Sequence, residues 1–165
     1  MGRLVRAAVL ALGLAPGVAL GQGAEVAFGG LRQDTGLPVE ITADTLAIDQ
    51  ADGTAVFTGN VLVAQGEMRL SADRIRALYA SDSGATGRVQ ELIATGGVTL
   101  VNGAEAAEAA EATYTVDEGS VVMTGDVLLT QGGNALAGER LVIDLTAGTG
   151  VMEGRVRTVF RPDSP

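Results

Sequence analysis

The sequence predicts an all-β domain, and three observations carry that expectation. Segments of four to eight residues alternate apolar and polar side chains along most of the chain. Short clusters of Gly, Asn, Asp and Ser separate these segments at regular intervals. One block also recurs. Val56-Phe57-Thr58-Gly59-Asn60-Val61-Leu62-Val63-Ala64-Gln65-Gly66, followed by Leu70-Ser71-Ala72-Asp73-Arg74-Ile75, returns 66 residues later as Val122-Met123-Thr124-Gly125-Asp126-Val127-Leu128-Leu129-Thr130-Gln131-Gly132 and Leu136-Ala137-Gly138-Glu139-Arg140-Leu141. Alternation with period two places each apolar set on one face of a sheet. Repetition at fixed spacing marks units that bury their apolar faces against neighbours, an arrangement suited to presenting a long apolar surface.

The chain opens on an address. Arg3 and Arg6 precede an apolar run from Ala7 to Leu20, interrupted by Gly13, Pro16 and Gly17, and Ala19 and Gly21 offer small residues for a cut before Gln22. Residues 1–21 are therefore expected to be a cleaved signal peptide, the run being short of the about 20 residues that cross a bilayer. Residues 22–37 are expected to be a flexible N-terminal segment, 38–161 the folded domain and 162–165 a tail. Pro38 and Pro162 bracket the domain, and no proline falls between them, as an uninterrupted ladder requires.

Inside the brackets the strand candidates follow in order: Val39/Ile41, Leu46/Ile48, Val61/Val63, Met68/Leu70, Ile75/Ala77/Tyr79, Val98/Leu100, Tyr114/Val116, Val127/Leu129, Leu141/Ile143/Leu145 and Val156/Thr158/Phe160. Turn signals separate them at Asp52-Gly53, Gln65-Gly66, Ser83-Gly84, Asn102-Gly103, Glu118-Gly119, Gly132-Gly133 and Ala147-Gly148, which implies successive antiparallel hairpins. Asp49, Asp52 and Gly53 superficially resemble a calcium loop, but the remaining ligands of that pattern are missing, so a hairpin turn is expected. Ala104 to Ala112, rich in Ala and Glu, has helix propensity; a loop or frayed turn is expected near 104–108 and a strand from about Ala110. Four Gly-containing units, at Gly59, Gly96, Gly125 and Gly154, sit 37, 29 and 29 residues apart. Glycine inside a strand marks a bulge or bend, so these units are expected to be corners, either of a sheet folded around a groove or of an ordinary small sandwich.

Composition narrows the chemistry. A net charge of −9 without a basic cluster gives no electrostatic route to nucleic acid. His, Cys and Lys are absent, which removes His-dependent and Cys-dependent nucleophiles, Schiff bases, disulfides and ordinary zinc sites. Carboxylates remain, but no two of them stand out as an acid–base pair, so an enzyme is not expected and no cofactor or metal is assigned. Asp73, Arg74, Glu139 and Arg140 are expected to be solvated strand residues.

The Val39-Glu40-Ile41-Thr42-Ala43-Asp44 opening, the Phe57-Thr58-Gly59-Asn60-Val61 core and the Leu70-Ser71-Ala72-Asp73-Arg74-Ile75 close resemble the LptA/OstA-like family, and Tyr114 to Ile143 is similar to that family's second half. The resemblance implies an open antiparallel β-jellyroll with an apolar interior. It also implies a periplasmic bridge that carries lipopolysaccharide between the inner and outer membranes by end-to-end association of jellyrolls. The implied partners are lipopolysaccharide, an inner-membrane LptC-like protein, an outer-membrane LptD-like protein and further copies of the chain, head to tail. A membrane-anchored lipid-handover relative of the same fold and a structural β-repeat or adhesin subunit are the alternatives.

On shared strand phase together with this resemblance, Val39, Ile41, Leu46, Ile48, Val56, Leu100, Tyr114 and Val116 are expected to form a lining that contacts acyl chains. The first and last strands lack the prolines and lysines that usually block edges. Val39, Glu40, Ile41, Thr42 and Ala43 at one end, and Arg155, Val156, Arg157, Thr158, Val159 and Phe160 at the other, are therefore the expected interfaces. The resemblance directs the first toward the inner-membrane partner, and the second toward another copy or the outer-membrane partner.

Overall fold

The computed structural model describes residues 24–27, 32–80 and 87–161, and every regular element among them is a strand. In chain order these are β1 (Ala24–Ala27), β2 (Glu40–Thr42), β3 (Thr45–Asp49), β4 (Thr54–Gln65), β5 (Met68–Tyr79), β6 (Val89–Asn102), β7 (Glu105–Thr115), β8 (Ser120–Gln131), β9 (Asn134–Asp144), β10 (Thr149–Glu153) and β11 (Arg157–Val159). They form one antiparallel sheet in the order β1-β10-β9-β8-β7-β6-β5-β4-β2, with β3 also paired to β4 and β11 also paired to β9. Hairpins join β3 to β4, β4 to β5 and each neighbour from β6 to β10, as the turn residues require; β5 and β6 pair antiparallel, and the Ser83-Gly84 turn expected between them lies outside the described residues. Asp49 Oδ1 accepts from the Ala51 and Asp52 amides, which builds the expected turn before Gly53. Asp144 does the same for Ala147 and Thr146, and these backbone bonds hold its carboxyl below the usual range.

Each long ladder changes register at mid-length, at Thr58/Val61, Ser71/Arg74, Thr95/Val98, Glu108/Glu111 and Thr124/Val127. The Gly units lie on this line, where two consecutive residues take positive φ: Gly59 and Asn60, Gly96 and Gly97, Gly125 and Asp126, Gly154 and Arg155. The first position of each pair needs glycine twice over. Its φ of 79–85° is hostile to a side chain, and a Cβ at Gly59 would lie 2.5 Å from Asp44 Oδ2 while one at Gly125 would lie 2.7 Å from Ala110 Cβ. These are the corners expected from the sequence, and the line of register shifts on which they lie divides every long strand into two halves.

The two halves face each other. Gln65 ends β4 and Tyr114 nears the end of β7, three strands apart in the sheet, about 14 Å at ~4.8 Å per strand. Yet the Tyr114 hydroxyl donates to Gln65 Oε1 at 2.6 Å. Only a sheet folded over along the corner line brings these groups together. The short strands are bent in the same way. β2 and β3 pair with opposite halves of β4, and β10 and β11 with opposite halves of β9.

Two segments depart from expectation. The Ala–Glu run is a strand from Glu105 onward, because β6 and β8 pair with it on both sides and those ladder bonds outweigh helix propensity. Its inward Ala107, Ala109 and Ala112 are buried, while Glu105, also buried, accepts from Gln131 Nε2. The stretch 22–37, expected to be flexible, contains β1 and an ordered segment at Gln33–Leu37. Residues 1–21 and 162–165, the expected signal peptide and tail, lie outside the described residues.

Candidate functional site

The folded sheet encloses rows of apolar side chains that pass from strand to strand without a break. In one half, directly paired residues run Ile41, Val63, Leu70, Leu100, Ala107, Leu129 and Leu136. In the other, one row runs Leu46, Phe57, Ile75, Ala94, Ala112, Met123, Leu141 and Met152, and the next runs Ile48, Ala55, Ala77, Leu92, Tyr114, Val121 and Ile143. Directly opposed residues of an antiparallel pair share a face, so each row is one continuous stripe on the inner surface. Every member between the edge strand and the last is buried.

The rows end in the open at the first edge, and in one half only at the last. Leu46 and Ile48 on β3 are 52% and 53% exposed although they belong to the inward face, because no further strand flanks β3 among the described residues. At the far edge Thr158 of β11 continues the Leu136 position and is exposed, and Val156 and Phe160 are exposed beside it, Phe160 to 72%. The interior is thus buried along its length and exposes apolar row ends at the β3 edge, while at the far edge the second half closes on buried Met152 and Ile143, where β1 pairs with β10.

Seven of the eight residues expected in the lining lie on this surface or at its margin. Leu100, Tyr114 and Val116 are buried, Val39 and Ile41 are partly buried against the core, and Leu46 and Ile48 form the exposed row ends. Val56 does not belong to it. It is paired with Ala47 and Arg76 on the outer face, one residue out of phase with the inward Ala55 and Phe57. Of the expected interfaces, Glu40–Thr42 and Arg157–Val159 are edge strands, and Ala43, Arg155, Val156 and Phe160 flank them. Asp73, Arg74, Glu139 and Arg140 are exposed, as expected of solvated strand residues.

The margin opposite the corners has a polar clasp that sequence reasoning missed. Gln65, 1% exposed, donates from Nε2 to the carbonyls of Thr35 and Leu37 at 3.0 and 2.9 Å, and accepts the Tyr114 hydroxyl at Oε1. Its own carbonyl accepts from Gln33 Nε2 at 2.6 Å, and the Gln33 amide donates to the Leu145 carbonyl in the opposite half. The Gln33–Leu37 segment is therefore a strap across the two halves, held by a fully satisfied buried amide. The available signal was phase, since Gln65 continues the inward series of Val61 and Val63. A pocket of about 410 Å³ lies against this strap, with Leu37, Val39, Val89 and Val116 among its walls and the Arg88–Asp117 ion pair, 3.0 Å long, at its side.

Burial pushes the Tyr114 phenol up to about 12, with its bond to Gln65 opposing in part. A phenol raised above its ordinary value of 10.0 supports the fold fully below pH 10 and loses that support as pH climbs toward 12. In an ultraviolet titration Tyr114 should ionise only near pH 12, and Tyr114→Phe should abolish that late step. Ionisation of Tyr114 near its ordinary value would contradict the dry clasp.

Comparison with known proteins is consistent across sequence and structure. The family described as LptA/(LptD N-terminal domain) LPS transport protein matches residues 40–149. An uncharacterized protein of Rhizobium meliloti (strain 1021) is 28% identical over 95% of this chain and 90% of its own length. The lipopolysaccharide export system protein LptA of Escherichia coli (strain K12) is 38% identical over 42 residues, 26% of this chain and 23% of that protein. Among solved structures, LptH, the LptA-homologous periplasmic component of the lipopolysaccharide transport device of Pseudomonas aeruginosa, superposes with a TM-score of 0.69 at 20% identity, covering 79% of this chain and 99% of that one. The shared fold is the open β-jellyroll.

Proposed function

Because this chain belongs to the LptA/(LptD N-terminal domain) family of LPS transport proteins, we propose that it is a periplasmic carrier that shields the acyl chains of lipopolysaccharide in its folded sheet. The observation that carries this reading is the set of apolar rows running from one sheet edge to the other and ending in exposed Leu46 and Ile48. Withdrawal from water is worth about 0.8 kcal/mol per methylene, so one chain of about 12 carbons gains about 10 kcal/mol on entering such a surface. The lining is built from small and branched aliphatics, with few aromatics. With a net charge of −9, the protein offers phosphates no general attraction, so apolar burial drives loading and the headgroup stays in solvent.

On this reading the cleaved leader exports the chain, and the two edges of its sheet bridge the envelope by strand addition. The β2–β3 edge faces an inner-membrane LptC-like protein, and the β10–β11 edge faces another copy or an outer-membrane LptD-like protein. The family is one of transport proteins rather than enzymes.

The test is complementation of depleted cells. The native chain should restore lipopolysaccharide to the cell surface, and Ile41→Asp should fail by placing an unpaired carboxylate in the inner row. Glu40→Gln, on the exposed face, should behave as native. Full rescue by an Ile41→Asp protein that is folded and abundant would refute the lining.

A further inference from the structure

The two edges of the sheet match each other segment by segment, and one of them is already occupied. The first edge consists of β2, three residues, and β3, five residues, joined through a bend at Asp44. The last consists of β10, five residues, and β11, three residues, joined through the corner at Gly154 and Arg155. Successive strands alternate in direction, so a second copy's β2–β3 unit would continue the sheet antiparallel, with its β2 beside β11 and its β3 beside β10. The outer side of β11 is free among the described residues. The outer side of β10 is not: β1 pairs with it, antiparallel, through Ala24 to Met152, Glu25 to Val151, Val26 to Gly150 and Ala27 to Thr149. β1 runs in the direction an incoming β3 would take and covers four of the five residues of β10.

We propose that β1 is an intramolecular placeholder for the β3 strand of a second copy, and that full head-to-tail assembly requires its displacement. The inference rests on the assembly reading above and adds the step that controls it. The placeholder fits what a temporary cover needs. Four paired residues at a sheet edge are among the least stable parts of a fold, and Gly29 and Gly30 lie in the sequence between β1 and the strap. An incoming β3 offers one more residue than β1, and β2 adds a second anchorage on β11 that β1 does not use. It also brings Leu46 and Ile48, whose inward faces are exposed in the free chain, to the ends of the Leu141–Met152 and Ile143–Gly150 rows. The free chain therefore protects its β10 edge against indiscriminate pairing, and yields it to a partner that matches both segments. A cover seated nine-tenths of the time would weaken apparent association about tenfold.

The chain's lack of cysteine makes the test clean. Glu25→Cys with Val151→Cys, a directly paired position, locks β1 in place when oxidised. Glu25→Pro with Val26→Pro removes two consecutive amides, one of which must face β10. By sedimentation velocity, the oxidised pair should associate at least tenfold more weakly than its reduced form, and the proline pair at least tenfold more tightly than the native chain. Equal association of oxidised and reduced forms, or of proline and native forms, would overturn the proposal. Absence of association in every form, with hydrogen exchange showing the β10 amides freed in the proline pair, would instead overturn the head-to-tail reading, and the placeholder with it.

Discussion

Gly125→Val should destabilise the domain by about 3 kcal/mol, whereas Gly97→Asn should cost no more than about 0.5 kcal/mol. Both glycines are in corners and both have positive φ, so composition alone would rank them alike. The difference lies in the two corner positions. Gly125 is a first position, with φ 85° and a would-be Cβ 2.7 Å from Ala110 Cβ, an atom fixed to the backbone of β7. Valine there adds backbone strain and a contact that nothing can relieve by rotating. Gly97 is a second position, with φ 59° and nothing within 4 Å of a Cβ. The other three corners place Asn60, Asp126 and Arg155 at that position, at φ 43–48°, and Asn accepts left-handed backbone at small cost. Urea melts of the two variants decide the matter. Equal losses, or a tolerated valine at Gly125, would contradict the corner geometry.

That asymmetry was partly legible in the sequence. The recurrence of Gly59, Gly96, Gly125 and Gly154 located the corners, and the strict alternation around Leu100, Tyr114 and Leu141 fixed which face turned inward. Val56 was misread because it adjoins Phe57 in an apolar run, Ala55-Val56-Phe57, whose phase alternation cannot choose; pairing with Leu46 and Ile48 chooses it. The Ala–Glu run was misread because its local preference for helix is opposed only by ladders to β6 and β8, which no local window contains. Gln65 escaped notice because a polar residue at an inward position has no apolar signature, and its partners Gln33, Thr35 and Tyr114 are distant in sequence. β1 escaped because four residues are too few to display a period.

The second large effect concerns the lining, and it is all-or-none. A photo-crosslinking side chain at Ile41 or Leu46 points along an inner row, and one at Glu40 or Ala47 points outward from the neighbouring residue of the same strand. The residues of each pair are adjacent in sequence and share an edge strand, so their positions along the sheet are nearly matched. What differs is the face alone. Only acyl chains held against the inner surface would distinguish them.

Capture of lipopolysaccharide in living cells from these four positions is therefore the most direct measurement of the central claim. The account predicts strong adducts from Ile41 and Leu46 and none above background from Glu40 and Ala47. Equal capture from both faces, or capture from Glu40 and Ala47 alone, would mean that the apolar rows are a dry sandwich core and that lipid, if carried at all, travels elsewhere on the molecule.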